Sequence, residues 1–115
     1  MKPLLPSLRE KKRYIVYEII SDKPIKDVKS ISKAFWRVFS GFLGELGCSE
    51  AGIILLEDKY NKKNQRGLIR VATKFVDKLK ASLAVVEQID NEDVIVKTIG
   101  SSGTLKKAEG KYIAA

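Results

Sequence analysis

The sequence predicts one α+β domain: a four-stranded antiparallel sheet with two helices on one face, followed by a short C-terminal helix. Three observations predict it. Four short segments alternate apolar with polar residues, or run apolar for several positions, as strands do. Two longer segments repeat apolar residues at spacings of three and four, the period of a helix with one buried face. Their order is β-α-β-β-α-β, in a chain of 115 residues that is long enough for one core and too short for two.

Residues 1–12 read as a basic N-terminal arm, with Pro3, Pro6 and no periodicity, and residues 13–115 as the single domain. Arg13–Ile20 is the first strand. Ile15, Tyr17 and Ile19 give it a wholly apolar face, while Tyr14, Val16, Glu18 and Ile20 give a mixed one. Ser21-Asp22-Lys23-Pro24 signals a helix start, a capping side chain followed by a proline suited to the first turn. The helix spans about residues 25–46, with Val28, Ile31, Phe35, Val38, Phe39, Phe42 and Leu46 as one continuous buried stripe. Lys26, Lys29, Lys33 and Arg37 form its solvated side, and Gly44 and Gly47 can end it.

The second strand covers about residues 51–58, and the loop Lys59–Gln65 leads into the third, Arg66–Ala72. A helix over about residues 74–87 buries Phe75, Val76, Leu79, Leu83 and Val86. Asp90-Asn91-Glu92 is a turn into the fourth strand, Asp93–Ile99. Gly100-Ser101-Ser102-Gly103 breaks that strand, and Thr104 caps the final helix, through about Glu109. Right-handed crossovers then place both main helices on the same face, the ferredoxin-like arrangement that RNA-recognition-motif (RRM-like) domains share. The far face stays open. Val16 and Ile20 lie on it, and an open apolar face on so small a domain is expected to meet a partner protein.

Composition narrows the chemistry. The chain has no histidine, which removes an imidazole base, a Ser/His or Cys/His pair and a Cys/His zinc set. Its one cysteine, Cys48, makes no internal disulfide, reads as a small core residue and suits a reducing compartment. The N-terminus lacks the apolar stretch of a signal peptide, and no run approaches a membrane span, so a cytoplasmic location with no membrane partner is expected. Of the carboxylates, Glu57 and Asp58 are adjacent in a strand and point apart, and Asp90, Glu92 and Asp93 belong to a turn. No catalytic or metal-ligating residue is assigned.

The net charge of +8 is segregated. Residues 1–13 carry +4, residues 59–74 carry +6 and residues 97–111 carry +3, so the other 71 residues sum to −5. A polyanion gains from such segregation through counterion release. The candidate RNA contacts follow. Arg9, Lys11, Lys12 and Arg13 come from the arm. Tyr60, Lys62, Lys63, Arg66 and Arg70 come from the loop and third strand. Ser102, Gly103, Thr104, Lys106 and Lys107 come from the tail, where a helix start offers hydroxyls and unpaired N–H groups. The third strand has no aromatic residue, so reading of single-stranded bases across the sheet is not expected. Phosphate and shape recognition by edges and loops fits better.

Four blocks, in order along nearly the whole chain, carry a resemblance. They are Leu5-Pro6-Ser7-Leu8-Arg9-Glu10-Lys11-Lys12-Arg13-Tyr14-Ile15, the Gly41, Gly44 and Gly47 pattern, Arg66-Gly67-Leu68-Ile69-Arg70-Val71, and Ser102-Gly103-Thr104-Leu105-Lys106-Lys107. Together they resemble the archaeal ribonuclease P protein component 2 family. The resemblance implies a subunit of the endoribonuclease that removes the 5′ leader of precursor tRNA. It implies that the RNA subunit performs the Mg²⁺-dependent chemistry, that the protein supports the catalytic domain of that RNA, and that the chain binds no cofactor itself. It implies ribonuclease P protein component 3 as a partner, in a dimer of heterodimers that brings two copies of the chain into one assembly. Two other readings of the residues stand beside it: a protein-interaction or general structured-RNA-binding module of another ribonucleoprotein, and a Mg²⁺-dependent nuclease acting alone.

Overall fold

The computed structural model describes residues 11–113. In chain order these form β1 (Lys12–Ser21), α1 (Val28–Ala51), β2 (Ile54–Asn61), β3 (Arg66–Ala72), α2 (Val76–Val85), β4 (Gln88–Ile89), β5 (Glu92–Ser102) and α3 (Leu105–Ala108). A 3-10 turn, Thr73–Phe75, leads into α2, and a π-helical turn, Glu109–Ile113, extends α3. The strands make one antiparallel sheet in the order β2-β3-β1-β5-β4. β1 is central because it is apolar on both faces: Ile15, Val16, Tyr17 and Ile19 are all buried.

The sheet thus has five strands, not the four expected. The addition is β4, two residues that pair with β5 across Asp90 and Asn91, whose φ values of 54° and 65° are those of a tight hairpin turn. Two residues are too few to show an alternation. β5 also runs three residues past Ile99, to Ser102, because β1 continues beside it: Tyr14 pairs with Ser102 and Val16 with Gly100.

α1 starts later than Pro24. Ile25 is buried ahead of the helix, and the β2–β3 hairpin holds both of its backbone groups. Its N–H donates to Gln65 Oε1 (2.5 Å), and its carbonyl accepts from Tyr60 Oη (2.7 Å). A residue bound this way from both sides stays out of a helix. The cap is Asp27, whose carboxylate accepts from the Lys29 N–H and the Ser30 hydroxyl, each at 3.0 Å. Nor do Gly44 and Gly47 end α1. Gly44 (φ 71°) kinks it, and it continues to Ala51, where Gly52 (φ 59°) terminates it in the left-handed conformation.

The kink changes what the helix buries. Ile31, Phe35 and Phe39 join Ile15, Tyr17, Ile19, Ile69, Val71, Leu79 and Leu83 in the main core. Phe42 is 52% exposed and Leu46 72% exposed, so the expected stripe is not continuous. Leu43 and Cys48 pack against the core there instead, and the non-helical break at Gly44 re-phases Leu46.

The far face of the sheet is not open either. α3 and the π-turn fold back over it and make a second, smaller core of Val16, Leu68, Ala108 and Ile113, with Tyr14, Leu56, Ile99, Leu105 and Tyr112 packed around them. The helices therefore lie on both faces, not one. Gly100 leaves room for this return: a Cβ there would collide with the Tyr112 ring. Val16, expected on a partner-protein face, is fully buried under the chain's own C-terminus. Ile20, its companion in that expectation, is 43% exposed and pairs in register with exposed Ile95.

Candidate nucleic-acid interface

The strand register fixes where the basic segments lie. Arg13 is opposite Val71 at one end of β1, and Glu18 is opposite Arg66 toward the other. Five residues of antiparallel strand separate them, about 17 Å. Ser102 pairs with Tyr14, so the end of the arm and the start of the tail meet at the first end, with the Arg13 guanidinium close to Gly103. The hairpin tip with Lys62 and Lys63 stands at the other. Two of the three segments come together directly; the third does not.

The C-terminal helix spans the gap. It starts at Thr104 beside Arg13, and its last carbonyls are held by the hairpin. Asn61 Nδ2 (2.9 Å) and Asn64 Nδ2 (3.2 Å) donate to the Ile113 carbonyl, and Arg66 Nη1 donates to that of Tyr112 (2.9 Å). Lys106, Lys107 and Lys111 are exposed along this span. A basic track thus runs from Arg13, at the strand end next to Gly103, past these three lysines, which ride on the C-terminal helix over the sheet face opposite α1, to Lys62 and Lys63 at the hairpin tip. Acidic residues beside the track are paired internally: Glu109 with Lys59 (2.6 Å) and Glu18 with Arg66 (2.7 Å). The Glu109 carboxylate also raises the Lys59 pKa, by hydrogen bonding first and charge second. These pairs leave the exposed lysines as a positive surplus.

Several candidates make contacts within the fold. Tyr60 is half-buried, stacks on Tyr17 with centroids 6.5 Å apart, and donates its hydroxyl to the Ile25 carbonyl, so one ring face and the hydroxyl are taken up inside the fold. Arg66 is committed to Glu18 and Tyr112. Arg70 shares the second face with Tyr14 and Ile54, and its Nε is buried with no hydrogen-bond partner among the described residues. Lys12 starts β1 beside Gly52. Ser102 Oγ accepts from the Thr104 N–H (3.2 Å) and Thr104 Oγ1 from the Lys107 N–H (3.4 Å), so those two N–H groups are engaged internally while the hydroxyls act as acceptors. Lys11 is exposed, and Arg9 lies outside the described residues.

Comparison with known proteins then places the chain. A model of the Rpp14/Pop5 family matches residues 13–113. The chain belongs to the Rpp14/Pop5 family. Relatives of this Rpp14/Pop5 member include ribonuclease P protein component 2 of Thermococcus kodakarensis, 37% identical over 98% of this chain and 92% of that one. Another is the protein of the same name from Methanosarcina barkeri, 35% identical over 98% of this chain and 80% of that one. In the structure of yeast ribonuclease MRP, one chain superposes with a TM-score of 0.61 at 15% identity, covering 84% of this chain and 77% of that one. That likeness is one of fold.

The geometry of this Rpp14/Pop5 chain adds two residues to the sequence reading. Lys111 extends the track, its ammonium 5.5 Å from the Tyr112 ring centroid; only the return of the C-terminus shows that it faces the same way as Lys107. Gln65 locks the hairpin to the β1–α1 connection. Its φ is 53°, its carbonyl accepts the Ile19 N–H (2.9 Å), and its side-chain amide donates to the Ile19 carbonyl (2.7 Å) and accepts from Ile25.

Burial pushes the Tyr60 phenol up to about 12 from an ordinary 10.0. The folded state holds this proton more tightly than the unfolded chain does. The associated stability is therefore complete below about pH 10 and lost as pH rises toward 12. Urea melts of the wild type and of Tyr60→Phe, at steps from pH 9 to about pH 12, check this. The wild type is expected to lose stability more steeply over that range than the variant, and parallel curves refute the assignment.

Proposed function

We propose that this chain is a protein subunit of ribonuclease P, the ribonucleoprotein that removes the 5′ leader of precursor tRNA. Family membership and near-full-length kinship with proteins named ribonuclease P component 2 support the assembly. The observation that carries the mode of action is the basic track from Arg13 along the C-terminal helix to Lys62 and Lys63. Lysines and arginines on a rigid frame neutralise phosphates and lower repulsion between close RNA strands. The chain binds the catalytic domain of the RNA subunit through this track and stabilises its fold. The Mg²⁺-dependent hydrolysis belongs to the RNA.

The test is reconstitution in the cytoplasmic range of salt. RNA subunit, precursor tRNA, component 3 and this chain are expected to cleave the leader at a lower Mg²⁺ concentration than the same mixture lacking the chain. An unchanged Mg²⁺ requirement refutes the stabilising role. Metal-dependent, specific cleavage by the chain without the RNA subunit would move the chemistry to the protein.

A second reading, in which binding proceeds through protein contacts, has the exposed Phe42 and Leu46 in its favour. They lie on the α1 side, opposite the basic track, so the two kinds of contact do not compete. Component 3 is the expected neighbour for that apolar side.

A further inference from the structure

Beside the hairpin tip lies a cleft that shares Lys62 and Lys63 with the basic track and adds Lys26 on its other wall. It is about 600 Å³ and runs between the β1–α1 connection and the β2–β3 turn. That volume falls within the range of roughly 300–1,000 Å³ typical of small-ligand sites. Ser21, Pro24 and Lys26 line one side, and Lys62, Lys63 and Gln65 the other. Lys26, Lys62 and Lys63 are exposed and make no ion pair among the described residues, whereas Lys23 next door is within 4.0 Å of Glu92. One carboxylate, Asp22, also lines the cleft, which leaves cations in excess.

The floor is rigid. Gln65 ties it to Ile19, Ser21 and Ile25 by hydrogen bonds of 2.5 to 3.3 Å, and the Lys63 N–H donates to Asn61 Oδ1 (2.9 Å), fixing the turn. The Ser21 hydroxyl donates to the Lys23 carbonyl (2.6 Å), which fixes the other wall. A preformed recess with cations on both walls and a proline ring at its edge suits a group that is anionic at one end and flat and apolar at the other. Continuous duplex does not enter a recess of this size; a looped-out nucleotide does.

We infer that this cleft receives one unpaired nucleotide of the RNA subunit, its phosphate held between Lys26 and the Lys62–Lys63 turn. The inference rests on the ribonuclease P reading and adds a defined subsite to it. Lys26 is its specific mark, since that lysine precedes α1 and lies off the basic track.

The experiment measures binding of the full chain to the RNA subunit across a salt series, for Lys26→Ala, Lys29→Ala and Lys106→Ala/Lys107→Ala. Lys29 lies just inside α1 and serves as the control. Lys26→Ala is expected to weaken binding about fivefold at moderate salt and to lower the slope of log K against log salt by about 0.7, one single-strand phosphate contact. Lys29→Ala is expected to change neither. With 4-thiouridine in the RNA, crosslinks are expected on residues 22–26 of the wild type. If Lys26→Ala matches the wild type while Lys106→Ala/Lys107→Ala lowers the slope, the cleft inference falls and the RNA-binding reading stands. Equal losses in Lys26→Ala and Lys29→Ala also overturn it, because they report a diffuse field. If every variant matches the wild type, the RNA-binding reading itself falls.

Discussion

Replacing Arg13, Lys106 and Lys107 together by alanine is expected to weaken binding of the RNA subunit about a hundredfold at physiological salt. The slope of log K against log salt should fall by roughly 2 to 3. All three side chains are exposed, and they come together because β1 and β5 pair Tyr14 with Ser102 and deliver the tail beside the arm. Each neutralised phosphate releases condensed counterions, so the loss scales with the number of contacts and is equal for matched and scrambled sequences of the same shape. Lys33→Ala and Lys80→Ala remove exposed lysines of α1 and α2, on the other layer, and are expected to leave the slope unchanged. A triple variant with wild-type affinity and slope would remove the C-terminal helix from the interface. Circular dichroism separates that outcome from unfolding.

The second large effect concerns the core beneath β1. Gly67→Ala is expected to destabilise the domain by about 2–3 kcal/mol, read from urea midpoints at constant m-value. A Cβ on Gly67 would collide with the Tyr17 phenol, its partner across the strands. The ring has no room to retreat. It is buried, edge-on to Phe35 at 4.9 Å between centroids and stacked on Tyr60 at 6.5 Å. Tyr17→Leu alone leaves a cavity and is also destabilising. In the double variant the new methyl occupies part of that cavity, so the combined loss should fall short of the sum by about 1 kcal/mol or more. Strict additivity would show that the glycine is required for another reason.

Legibility followed length and period. The β1, β3 and α2 segments were readable because each carries several residues of consistent alternation or helical spacing. The hairpin turn at Asp90 and Asn91 was readable because those residue types tolerate positive φ. Two-residue β4 was not, nor the start of α1 at Asp27, since Pro24 and Asp22 give an equally good local signal. What overrides them is Gln65, distant in sequence, which binds the backbone of Ile25. For the interface, the sequence named most of the exposed cations on the track. It also named Tyr60 and Arg66, which have the right chemistry but are committed to Ile25 and Glu18. Side-chain type tells what a residue can bind; the fold decides whether anything is left to bind with.

By itself the sequence determined the order of the four longer strands and the two main helices, the segregation of positive charge, and through its four blocks the family. Those are properties of local pattern and composition, which survive without knowledge of distant contacts. Only the tertiary structure decided that the C-terminal helix closes the far face, burying Val16 and joining Arg13 to the hairpin tip through Lys106, Lys107 and Lys111. That return depends on Gly100 making room for Tyr112 and on Asn61, Asn64 and Arg66 holding the last carbonyls, contacts between residues about 12 to 52 positions apart. No local signal encodes such contacts, because their energy is realised only once the sheet has formed.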